Sequence, residues 1–147
     1  MKVICKENTA ENLDLNEVKH ASRTTQYPVR VGSEYIVMGM MIYKNFNCLY
    51  YLVSDNNGLP YWIPCELFEI SDNTLSPNWF VKVFDKKDVS TNFFYLSGFS
   101  ELCNDDDYND DLVLREGDAS EIYDKRKAEV EEWYAERELL EWAKKRN

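Results

Sequence analysis

LYYLVSDNNGLPYWIP, residues 49–64, is the stretch on which the fold turns. Two aromatic and β-branched runs flank Asp55-Asn56-Asn57-Gly58, and Asn-Gly between apolar runs signals a hairpin because both residues tolerate positive φ. Pro64 has no N–H to give to a ladder, so the second run lies at a sheet edge or changes direction there. Upstream, Ser33–Tyr43 (SEYIVMGMMIY) reads as another strand, set off by the polar turn Lys44–Asn47. Downstream, the third run continues through Tyr61–Ile70. Trp79–Phe84 and Asn92–Ser97 form a further pair around Asp85-Lys86-Lys87-Asp88, and Lys2–Cys5 is a short strand. Residues 6–28 are polar and aperiodic and read as a long loop or a short helical turn around Leu15–Ala21.

Strands joined by short turns, with no helix between them, predict an antiparallel meander that must bury one face. Five or six short strands within residues 1–100 close most easily into a small barrel. At 147 residues the chain fits one domain burying about 68% of its unfolded surface. With 14% aromatic residues, it carries far more core material than a disordered chain would.

The last third changes period. Asp118-Ala119-Ser120-Glu121 fits a capping box with aspartate in place of the hydroxyl residue. No glycine or proline follows, so a helix is expected to run to the C-terminal basic residues. At about 100° per residue, Ile122, Val130, Trp133 and Leu140 share a stripe, with Tyr123 and Tyr134 at its edge. Leu139, Trp142 and Ala143 fall on roughly the opposite side. Either another part of the chain wraps them, or they form an apolar patch that docks a partner or a second copy.

Charge narrows the function. The chain carries a net −10, and residues 101–147 hold 16 acidic and 8 basic side chains. Such a surface repels nucleic acid and speeds encounter with a basic protein. The most concentrated segment is NDDDYNDD, residues 104–111. Asp105, Asp107, Asn109, Asp111 and Glu116 fall on positions one, three, five, seven and twelve of a calcium loop, but Asp110 stands where its sharp turn needs glycine. Two other readings of the segment are open: a solvated acidic loop, or a surface that enters a basic cleft. In the latter, Asp105, Asp106, Asp107, Asp110 and Asp111 supply charge and Tyr108 a rigid anchor. No metal or cofactor is assigned.

Enzyme signals are absent from the sequence. His20 is the only imidazole and sits in a polar segment, and there is no GxSxG, glycine-rich phosphate loop or HExxH. Glu66 and Glu69 read as ordinary strand residues. Cys5, Cys48, Cys65 and Cys103 lie too far apart for the usual zinc patterns, and Cys48 and Cys65 read as buried free thiols. No signal peptide and no 18-residue apolar stretch is seen, so a cytoplasmic protein away from the membrane is expected.

Val31-Gly32-Ser33-Glu34-Tyr35-Ile36-Val37, then Ser54-Asp55-Asn56-Asn57-Gly58, then Trp62-Ile63-Pro64 and Leu67-Phe68-Glu69, resembles small bacterial proteins built on an SH3-like barrel. Some of these look like immunity proteins of toxin–immunity systems. The resemblance covers about residues 29–71, and the acidic tail lies outside it. It implies an SH3-like barrel and a small cytoplasmic inhibitor of a cognate toxin.

The expected fold class is therefore α+β in a single domain, residues 1–147. A small antiparallel SH3-like β-barrel over 1–100 is followed by an acidic connector over 101–117 and a long C-terminal α-helix over 118–146. The expected function is a non-enzymatic, immunity-type inhibitor of a basic toxin or nuclease domain. The alternative is a self-associating structural or regulatory protein, a homodimer through Leu139 and Trp142.

Overall fold

The computed structural model describes residues 1–147. Its strands are β1 (Lys2–Cys5), β2 (Glu34–Ile36), β3 (Gly39–Tyr43), β4 (Leu49–Ser54), β5 (Pro60–Pro64), β6 (Phe68–Asp72), β7 (Phe80–Val83) and β8 (Phe93–Gly98). Its helices are α1 (Ser100–Asn104), α2 (Tyr108–Leu114) and α3 (Ala119–Arg146). The protein is α+β, with two antiparallel sheets and a C-terminal helix.

The central hairpin forms. β4 and β5 pair antiparallel from Tyr50↔Pro64 to Ser54↔Pro60. The Asp55 carboxylate accepts the N–H groups of Asn57 at 2.8 Å and Leu59 at 2.9 Å. Only Gly58 is left-handed, at φ +77°, and its N–H donates to the Asp55 carbonyl. Asn57 does not share the positive φ expected of an Asn-Gly pair; the loop is a type I turn closed by a glycine bulge.

Two of the expected strands break, and the breaks decide the architecture. Ser33–Tyr43 divides into β2 and β3 at Val37–Met38, both buried. Tyr61–Ile70 divides at a 3₁₀ turn, Cys65–Leu67, directly after Pro64. Each break passes the chain from one sheet to the other. The sheet orders are β2-β1-β6 and β5-β4-β3-β8-β7, and neither closes on itself. The single closed barrel expected from the strand count is therefore replaced by two open sheets. β8 adds to β3 through Met41↔Leu96, which widens the larger sheet to five strands.

Val3, Val37, Val53, Ile63, Leu67 and Phe68 fill the space between the sheets. A second core on the other face of the five-stranded sheet joins Met41, Leu52 and Leu96 to Leu102, Leu112 and Tyr123 of the helices. β4 is thus covered on both faces, which is why its sequence is apolar almost throughout rather than alternating.

Residues 101–117, expected as an acidic connector, are mostly helical. α1 approaches the sheet where Gly39 and Gly98 face each other across β3 and β8. A Cβ on Gly39 would lie 2.6 Å from Leu102 Cδ2, so glycine here lets this helix sit close without displacing the leucine.

α3 begins as predicted but without the capping box, since the Asp118 side chain makes no capping hydrogen bond. Its buried stripe is centred on Tyr123 and Tyr134 rather than on Ile122 and Trp133. The Tyr123 hydroxyl meets Ser54 Oγ at 3.0 Å, and the Tyr134 hydroxyl donates to the Thr74 carbonyl at 2.9 Å. Arg137 pairs with Asp72 at 3.2 Å. Beyond Arg137 every residue is exposed, so the helix overhangs the body. Leu139 and Trp142 are 66% and 55% exposed; nothing in the chain wraps them.

Candidate functional site

The acidic segment forms a shoulder on the helical side of the large sheet. Two anchors hold it there. Asn109 is buried, and its carboxamide oxygen accepts the Trp62 indole N–H of β5 at 2.9 Å. Tyr108 is 6% exposed, stacks edge-on to Phe99 with centroids 5.5 Å apart, and donates its hydroxyl to the Ala119 carbonyl at 2.8 Å. Burial pushes the Tyr108 phenol above its ordinary pKa. Its expected role as an exposed anchor for a partner is overturned: Tyr108 is a core residue that fastens α2 to the start of α3.

With Tyr108 and Asn109 turned inward, the aspartates turn outward. Asp105 ends α1, Asp107 begins α2, and Asp106 lies between them; all three are exposed, as is Asp110, while Asp111 is half-buried. Lys82 reaches Asp106 at 4.0 Å, and Asp106 is 93% exposed. Asp105, Asp107, Asp110 and Asp111 have no lysine or arginine within that distance. The shoulder thus carries five carboxylates and a single distant counter-charge.

A calcium loop is not what this segment makes. Residues 108–114 are helical, and alternate residues of a helix point about 200° apart, so the intended ligands diverge. Asn109 has given its oxygen to Trp62. No group of three His, Cys, Asp or Glu side chains anywhere in the fold is placed to hold a metal ion.

Next to the shoulder, a cleft of about 280 Å³ opens between α3 and the segment leading into β7. Trp79, Phe80, Phe99, Val130 and Trp133 line it, with Arg126 and Glu129 in its wall. Arg126 donates from Nε and Nη2 to Glu101, at 2.6 and 3.1 Å, and from Nη1 to Glu129 at 3.0 Å. These bonds hold the Glu101 carboxyl below the usual carboxylate range and raise the Arg126 guanidinium. An arginine clamped between two carboxylates is poorly placed to capture an anion, and the cleft adds to the negative field of the shoulder.

His20 is exposed in a turn at φ +60° and hydrogen-bonds to no other side chain. Glu66 and Glu69 are both exposed. All four cysteines are free; Cys5, Cys48 and Cys103 are buried and Cys65 is half-buried. Burial raises each thiol, Cys48 to about 12 and Cys103 to about 11, so none is poised as a nucleophile. No helix is long and apolar enough to cross a membrane.

Sequence reasoning missed Trp62, Asn109, Glu101 and Arg126 as the residues that position the site. One signal was available: Asn109 sits one residue after Tyr108, where a helix would turn both inward together. No protein-family model matches the chain, and no curated protein or solved structure matches it.

Proposed function

We propose that the chain is a non-enzymatic binding module for a basic protein surface, of the kind an immunity protein presents to a toxin or nuclease domain. One observation carries this reading. The carboxylates of Asp105, Asp106, Asp107, Asp110 and Asp111 project from a helical shoulder fixed by buried bonds, and their own molecule leaves them almost unpaired. A rigid, uncompensated acidic patch lowers its energy by meeting lysines and arginines, and its field raises the rate of that encounter.

The body is read as an SH3-like arrangement in open form. Its support is the path of the chain. β1 lies between β2 and β6, the β2–β3 segment serves both sheets, and a 3₁₀ turn returns the chain from β5 to β6. β7, β8 and the helices are then additions on one side of that core.

The test is titration of basic nuclease and toxin domains with the full chain, polylysine serving as the control for charge alone. One domain is expected to bind saturably and with a steep salt dependence. Asp105→Lys, Asp107→Lys and Asp111→Lys together should weaken it and flatten the salt slope. Binding no better than to polylysine, or a triple variant of unchanged affinity and slope, refutes the reading.

A further inference from the structure

We propose that the outward face of α3 pairs antiparallel with the same face of a second copy of this chain. The site is separate from the acidic shoulder and does not depend on a basic partner. On the helix, Tyr123, Val130, Tyr134 and Arg137 face the body. Half a turn away, Ala128, Glu132, Ala135, Leu139, Trp142 and Arg146 form a second, exposed line. Its spacing alternates four and three residues, the period at which two helices keep a common seam. The two apolar faces therefore serve different purposes: one docks the helix at home, and the other has no partner within the chain.

Charge selects the occupant and its direction. In the overhanging part of the helix Glu136, Glu138 and Glu141 precede Lys144, Lys145 and Arg146, with Arg137 turned toward the body, so acidic side chains come first and basic ones gather at the tip. A parallel pair would set like charges level. An antiparallel pair brings the basic tip of each helix back to the level of Glu136 and Glu138 of the other. In the register that places Leu139 against Trp142 of the second copy, Ala135 meets Arg146 and Glu138 flanks Lys145, each contact occurring twice by symmetry. Arg146 already stacks on one face of the Trp142 ring, at 4.2 Å from its centroid, which leaves the other face for Leu139. The overlap runs from about residue 134 to the end of the chain, a seam of roughly 21 Å. Two helices overlapping over so few turns bury less than the about 1,200–2,000 Å² of stable interfaces, so the dimer is weak and weakens further with salt.

Light scattering and sedimentation of the full chain test this. The mass is expected to rise with concentration from 17.4 kDa toward twice that value. Trp142→Glu should remain monomeric. Glu138→Lys and Lys145→Glu should each weaken association about tenfold, equivalent to about 1.4 kcal/mol. The double variant Glu138→Lys with Lys145→Glu should recover to near the parent, because both symmetric pairs then reverse together. Glu138 also touches Lys2 at 3.5 Å, whereas Lys145 forms no ion pair, so Lys145→Glu perturbs the seam alone. A chain that stays monomeric, a Trp142→Glu variant that associates normally, or a double variant no better than its weaker parent overturns the antiparallel seam.

Discussion

The indole N–H of Trp62 donates to the Asn109 side-chain oxygen at 2.9 Å, tying edge strand β5 to the middle of the acidic segment. The two residues are 47 positions apart. Through this bond the hairpin that organises the sheet also sets the direction in which the aspartates point. Asn109→Ala leaves a half-buried N–H without its acceptor and should cost about 1–3 kcal/mol. Trp62→Phe should cost less when Asn109→Ala is already present, since residues sharing one bond do not act additively. Urea midpoints of the two single variants and the double variant give the coupling. Additive losses would mean that the bond contributes nothing.

Gly39 is expected to tolerate alanine poorly, second to Gly98, whose φ of +144° and Met38 carbonyl 2.6 Å from a Cβ make it stricter still. An alanine at Gly39 would bring Cβ to 2.6 Å from Leu102 Cδ2 and 3.0 Å from the Ser97 carbonyl. Relief requires Leu102 to leave its rotamer or α1 to lift, and overpacking of this kind costs about 1–3 kcal/mol. Leu102→Ala opens a cavity in the otherwise intact protein, but in the Gly39→Ala background it removes the clash. The double variant should therefore lose less than the sum of the single losses in thermal unfolding. Gly58 faces open space, with no atom within 4 Å of where a Cβ would stand, so Gly58→Ala should respond only through its φ of +77°.

The Glu101–Arg126 pair makes the acid side of the stability curve predictable. Hydrogen bonding from Arg126 lowers the folded pKa of Glu101, so the folded state binds fewer protons than the unfolded one across the intervening range. Its stabilisation is complete above the unfolded value, near about 4.3, and disappears as pH falls through the folded one. Glu101→Gln should thus lower the urea midpoint at neutral pH. The gap between parent and variant should close as the solution is acidified. A gap that is constant across the carboxylate range would rule out the linkage.

Much of the fold was legible because it rests on local chemistry. Asp55–Gly58 announces its turn, Pro64 marks the point where a strand stops pairing, and an uninterrupted run of helix formers announces α3. The breaks at Val37–Met38 and Cys65–Leu67 were harder to read. Apolar residues continue through both, and only the packing of two sheets distinguishes a bent strand from a straight one. The position of the α3 stripe was misread for a related reason. Tyr123 and Tyr134 look amphipathic in sequence, yet each is buried once its hydroxyl finds Ser54 or Thr74. Tyr108 illustrates the same principle within the acidic run. Surrounding charge suggested exposure, but a carbonyl at the start of α3 satisfied its hydroxyl and Phe99 covered its ring.

Thiol reactivity should report the two cores separately from the surface. Cys48 and Cys103 are buried, with pKa values pushed up to about 12 and about 11, so little thiolate exists at mildly alkaline pH. Cys5 lies between the sheets and is raised for the same reason. These three can react with a disulfide reagent only when the structure opens, and their rates should follow global or sub-global unfolding. Cys65, half-exposed in the 3₁₀ turn, should be modified first, though more slowly than a free thiol because burial raises it too. Mass spectrometry of partly labelled protein should find the first adduct on Cys65, and in urea all four should react at one rate. Early labelling of Cys103 would show that α1 lifts from the Gly39–Gly98 step in the native state, and that the acidic shoulder is less rigid than its buried bonds imply.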